Sequence, residues 1–175
     1  MGVETLSIQV SPQAISAANE ELHNHLTAWL GEHTAGFARK GVRFQMLDLT
    51  NSHAPFTNAT LANKPPVTQL TVNLALGYDG RTEIAAAARA MARERCRLEA
   101  CTTNLRRHLP TAPLPPVDLL IHAGGQTSLS GFLLWQSAYA ELLFIETRWT
   151  SFDRAHLSAA LDDYAQRKRT FGGLA

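Results

Sequence analysis

The chain has 175 residues, of which 45% are apolar and 18% charged, with a formal net charge of +1. That balance excludes a disordered chain, allows one domain over residues 1–175 with a sizeable core, and excludes a strongly basic nucleic-acid footprint. No stretch approaches the roughly 20 apolar residues of a membrane span, and MGVETLSIQV lacks the basic-then-apolar order of a signal peptide. A cytoplasmic protein is therefore expected, with Cys96 and Cys101 as reduced thiols.

In chain order, the alternating, β-rich run Thr5 to Val10 predicts a strand, broken by Ser11-Pro12. Leu22, Leu26, Trp29, Leu30 and Phe37 recur at helical spacing and predict a long amphipathic helix over 18–40, ended by Gly41. A second strand is predicted over 42–47, a loop over 50–67, and a third strand over 70–76 closed by the turn Gly77-Tyr78-Asp79-Gly80. Thr82 can cap the next helix, with Ile84, Ala85, Ala88, Met91 and Ala92 on one face, and a polar helical stretch runs on to Leu109. A proline-rich connector, 110–116, leads to the apolar strand 117–121. A Gly124-Gly125 turn follows, then a short helix around 132–136, a strand at 142–145, and a last helix capped by Asp153 with Leu157, Leu161, Tyr164 and Ala165 inward. Strands alternating with helices predict an α/β fold with a mostly parallel central sheet flanked by helices.

Two features suggest chemistry. Gly124-Gly125 ends a buried strand just before a predicted helix start at Ser130, a place where backbone N–H groups can meet a phosphate, although a plain tight turn has the same sequence. Glu141 lies among apolar residues in AYAELLF, where its charge needs a partner: a cation in an ion pair or a metal. The histidines make no metal cluster, since His23 and His25 are two apart on a helix and His33, His53, His108 and His156 are scattered.

The segment VDLLIHAGGQTSLSGFLLWQSAYAELLF resembles the cis-prenyltransferase signature VDLxIRTGGExRLSNFLLWQxxYxELxF. The likeness runs on through Trp149, Phe152-Asp153 and Phe171-Gly172-Gly173, and back to NLALGYDGRTEI, so that it covers essentially the whole chain. It implies an enzyme family that condenses isopentenyl diphosphate with an allylic diphosphate on magnesium. By position in the motif, Gly124, Gly125 and Ser130, with Arg169, Gly172 and Gly173 of the tail, would serve diphosphate binding, and Glu141 the magnesium.

The departures point further. Family members open with a strand and a DGNxRWA phosphate loop, and the chain is expected to lack both. The family's SxxNxxR stretch here reads Ser11, Ala14 and Ala17, and the two arginines that hold isopentenyl diphosphate are His122 and Ser128. A neutral imidazole and a hydroxyl do not reproduce two guanidinium forks on a diphosphate. Thr170 stands where the tail usually carries Arg, with Arg167 and Arg169 nearby. The resemblance with these losses implies a non-catalytic subunit of a heterodimer. Its partner would be a full-length cis-prenyltransferase that holds most of the magnesium site, and no nucleic acid is involved. Phe132, Trp135, Tyr139 and Phe144 are then interface candidates, with ordinary core packing as the other reading of Trp135 and Tyr139. The alternatives are an autonomous homodimeric prenyltransferase and a degenerate prenyl-diphosphate-binding protein.

Overall fold

The computed structural model describes residues 2–10, 19–48, 59–60, 67–94 and 101–173. Ser11, Ala14, Ala17, His53, Cys96 and most of the expected loop 50–67 lie outside the described residues. The chain divides into two compact units, Met1–Asp79 and Gly80–Ala175.

In the first unit, β1 (Thr5–Val10), β4 (Leu70–Leu76) and β2 (Val42–Asp48) form a parallel ladder in the order β1-β4-β2. The short β3 (Ala59–Thr60) adds an antiparallel edge on β2. Period-two alternation sends Phe44 and Met46 of β2 and Leu74 and Leu76 of β4 to one face. There they meet Leu26 and Leu30 of α1 (Asn19–Arg39), and Leu30, Met46 and Leu76 are buried. On the other strand face, Asn73 is wholly buried and donates from Nδ2 to Ser7 Oγ at 3.0 Å, its register partner on β1. Gln9 Nε2 donates to the carbonyl of the buried Tyr78 at 3.1 Å, which fixes the turn after β4 to β1.

Gly41 ends α1 as expected, because it takes φ +72° and its carbonyl accepts from Gln69 and Leu70 N–H. A Cβ there would lie 3.2 Å from the Val67 carbonyl oxygen. Gly41→Ala is expected to destabilise this unit by about 1–2 kcal/mol, read as a lower urea midpoint at unchanged slope.

The second unit holds α2 (Gly80–Arg93), α3 (Cys101–His108), the two-stranded parallel sheet of β5 (Leu119–Ala123) and β6 (Glu141–Ile145), and α4 (Arg154–Gln166). The helix expected to start after a Thr82 cap begins instead at Gly80, whose N–H donates to the Gly131 carbonyl at 2.9 Å. The expected short helix around 132–136 is a run of turns. Ser130, Gly131 and Leu133 take φ of 49°, 76° and 44°, which an α-helix does not accommodate. β5 starts two residues later than expected, because Val117 N–H is drawn to the Gln136 carbonyl and ladder pairing begins at Leu119 opposite Glu141. Asp153 caps α4 by accepting from His156 N–H at 3.0 Å. On α4, Leu157, Leu161 and Tyr164 are half-buried, while Ala165 is exposed and Ala160 is the buried alanine.

His108 joins the ends of α2 and α3. Its Nδ1 lies 2.7 Å from the Asn104 carbonyl and its Nε2 lies 2.9 Å from Glu94 Oε2. The Asn104 carbonyl first, then the Glu94 carboxylate, raise its pKa above 6.5. The folded state thus binds this proton more tightly than the unfolded chain. The stabilisation is complete below pH 6.5 and is lost as pH rises through the folded value. Thermal melts of wild type are expected to fall over that rise relative to His108→Gln, which removes the dependence.

Candidate functional site

The residues singled out by sequence separate to opposite ends of the β5–β6 ladder. At the carboxyl end, Gly124 and Gly125 follow β5 with φ of 106° and 76°. Both N–H groups donate to the Ile145 carbonyl, at 3.0 and 2.9 Å, so the turn is fastened to the end of β6. His122, on β5, places Nε2 2.8 Å from Ser130 Oγ, while its buried Nδ1 has no hydrogen-bond partner among the described residues. His122 and Ser130 are therefore brought together. No helix starts at Ser130, because its own φ of 49° is left-handed.

At the amino end stand Asp118, just before β5, and Glu141, the first residue of β6, whose N–H donates to the Asp118 carbonyl at 2.9 Å. Two arginines of the tail answer the two carboxylates. Arg167 Nη1 donates to Glu141 Oε2 at 3.3 Å and to the Leu142 carbonyl at 3.0 Å, and its Nη2 lies 2.7 Å from Asp163 Oδ2. Arg169 Nη1 donates to Asp118 Oδ1 at 2.5 Å and to Tyr164 Oη at 3.1 Å. Burial pulls the pKa of Arg167 down, but the hydrogen bonds to Glu141 and Asp163 outweigh it and the net shift is upward; for Arg169 the bond to Asp118 plays that part. Strands of five residues put the two ends about 13 Å apart.

Glu141 is thus an ion-pair partner, and among the described residues no three His, Cys, Asp or Glu side chains are grouped to hold a metal. One carboxylate facing a guanidinium is a poor donor set for magnesium, which takes several oxygens in octahedral geometry. These residues do not fit the ion by themselves.

Gly172, at φ +81°, lies against Tyr139; a Cβ there would be 3.2 Å from the phenol ring. Gly173 N–H closes a turn onto the Thr170 carbonyl at 2.9 Å. Of the four interface candidates, Tyr139 is 65% exposed, whereas Phe132, Trp135 and Phe144 are half-buried. Sequence reasoning missed Asp118. Its signal was a lone acid opening the apolar run DLLI, where a charge needs a partner at the strand's edge.

Residues 16–172 match the undecaprenyl diphosphate synthase family. The chain belongs to the cis-prenyltransferase family. It is 41% identical over 147 residues to a Xanthomonas axonopodis ditrans,polycis-undecaprenyl-diphosphate synthase, covering 77% of this chain and 56% of that one. It is 37% identical over 167 residues to a Rhizobium meliloti isoprenyl transferase, covering 88% and 66%. A trans,polycis-polyprenyl diphosphate synthase of Thermobifida fusca is 45% identical over 111 residues, covering 61% and 39%. The chain spans about half the length of the curated relatives it matches. The crystal structure of a probable undecaprenyl diphosphate synthase from Campylobacter jejuni superposes with a TM-score of 0.75 at 27% identity, over 98% of this chain and 85% of that one. Lavandulyl diphosphate synthase from Lavandula x intermedia, solved with dimethylallyl diphosphate, gives 0.69 at 26% identity, over 97% and 79%. The α/β fold with parallel strands and flanking helices is the cis-prenyltransferase fold. Among the described residues, no helix is long and apolar enough to cross a membrane.

Proposed function

We propose that this cis-prenyltransferase chain is a non-catalytic subunit that pairs, in the cytoplasm, with a full-length cis-prenyltransferase condensing isopentenyl diphosphate with an allylic diphosphate. The observation that carries the reading is the division of the site. The glycine turn, His122 and Ser130 stand at one end of the β5–β6 ladder, while both tail arginines are held at the other by Glu141 and Asp118. A diphosphate needs fixed cations around it. Where the resemblance places arginines, this chain has His122, already bonded to Ser130, and Ser128. Completing a site therefore takes a second chain that brings the cations, and magnesium with its ligands falls to that chain.

A specific finding favours a second reading, an autonomous homodimeric prenyltransferase: relatives at 37–48% identity carry the names of transferases and synthases. Two copies would unite opposite ends, yet neither would supply arginine at 122 or 128. The test is turnover. Incubated alone with isopentenyl diphosphate, farnesyl diphosphate and magnesium, the purified chain is expected to release no polyprenyl product above the enzyme-free level. Co-expressed with a full-length cis-prenyltransferase of its host, it is expected to copurify in near-stoichiometric amount and to change that enzyme's turnover or product length. Product formed by the chain alone would establish the homodimeric enzyme and sink the subunit reading.

A further inference from the structure

Beyond α4, residues 167–173 have no regular structure, yet contacts at three points hold them to the rest of the second unit. Arg167 reaches Glu141, the Leu142 carbonyl and Asp163. Arg169 reaches Asp118 and Tyr164, and its guanidinium carbon stands 4.2 Å over the Phe171 ring. Gly172 then lies against Tyr139 in a left-handed conformation that strains any side chain, and a Cβ there would press on the phenol ring at 3.2 Å. All three attachments sit at the amino ends of β5 and β6.

We propose that residues 167–173 form a strap closed on their own chain, covering one side of Tyr139, and that this strap opens before a second chain can pair there. The role assigned to opening rests on the subunit reading; the strap itself does not. The bonding suits a device that opens. Asp118 is 67% exposed and Arg169 21%, while Arg167 and Glu141 are each 27% exposed, so both ion pairs reach solvent and weaken with salt, the Asp118 pair more. Among the described residues, 167–173 add no side chain to the buried apolar core, so their release costs far less than unfolding the unit. Released, the strap would clear the part of the already largely exposed Tyr139 ring that Gly172 meets and free two guanidiniums, parting Arg169 from the exposed Phe171 ring. Aromatic and arginine side chains of this kind anchor protein interfaces.

Arg167, Lys168 and Arg169 are trypsin sites, so the strap's state can be read by limited proteolysis of the full chain with intact-mass detection. When opening is fast, cleavage reports the open population. Wild type in low salt is expected to lose its tail slowly. Molar salt or Asp118→Asn is expected to speed the loss about 2- to 5-fold, and Asp118→Asn with Glu141→Gln about 10-fold. Asp162→Asn, at an exposed residue of α4, is expected to leave the rate unchanged. Equal rates in low and molar salt, matching those of a free peptide of the tail sequence, would overturn the strap, and that comparison needs no variant. The cleavage is read on the chain alone. Failure to capture a partner therefore leaves the strap standing, and equal rates leave the subunit reading standing.

Discussion

Glu83→Ala is expected to lower the stability of the second unit by about 2–4 kcal/mol, one of the two largest effects of any single change described for this chain. Glu83, on α2, is 3% exposed, and its Oε1 accepts from Thr111 N–H at 2.9 Å and Thr111 Oγ1 at 2.6 Å. Thr111 is itself fully buried and receives a further bond from Gln136 Nε2, while the Gln136 carbonyl accepts from Val117 N–H. A single carboxylate therefore ties α2 to the connector and, through Thr111, to the turns ahead of β6. Alanine would leave two buried donors unpaired as well as open a void. Glu83→Gln keeps one acceptor oxygen and is expected to cost about half as much. Urea unfolding followed by the second-unit tryptophans checks this, and a loss below about 1 kcal/mol for alanine would contradict the hub role.

Gly80→Ala is expected to cost a similar 2–4 kcal/mol for a different reason. The added Cβ would stand 2.6 Å from the Gly131 carbonyl oxygen and 2.9 Å from Leu134 Cγ. The first is backbone and cannot swing aside, so the start of α2 must move and the Gly80 N–H bond to that carbonyl must stretch. The midpoint of thermal unfolding should fall by about 10 °C. Because Gly131 follows Ser130, the His122–Ser130 bond should loosen as well, which the imidazole resonances of His122 would report. A melt within about 1 °C of wild type would show that the approach is slack.

The elements were legible where local patterning and tertiary packing agree. The alternation in β1 and β4, the spacing of Leu26 and Leu30 in α1, the left-handed Gly41 and the Asp153 cap all state in sequence what the fold does with them. Expectation failed where a distant backbone group decides. Nothing local tells Gly80 that the Gly131 carbonyl awaits it, so Thr82 looked like the cap. FLLWQ has the composition of a helix, but left-handed Ser130 and Leu133 break it into turns that serve Gln136 and Thr111. The candidate site was legible as a set of residues and not as an arrangement. A contiguous motif conceals that Gly125 and Glu141 sit at opposite ends of adjacent parallel strands, because in such a ladder the chain returns to its starting end before entering the next strand.

The ladder of the first unit also sets an order of events during synthesis. Among the described residues β1 pairs with β4 alone, residue 5 opposite residue 71 and residue 10 opposite residue 76. The segment Thr5–Val10 therefore leaves the ribosome well before β4, its neighbour among the described strands, and waits several seconds for it. Its alternating, β-rich stretch is uncharged over its whole length, with no Lys or Pro to discourage pairing with another nascent chain. Until β4 emerges, β1 lacks the partner that protects it.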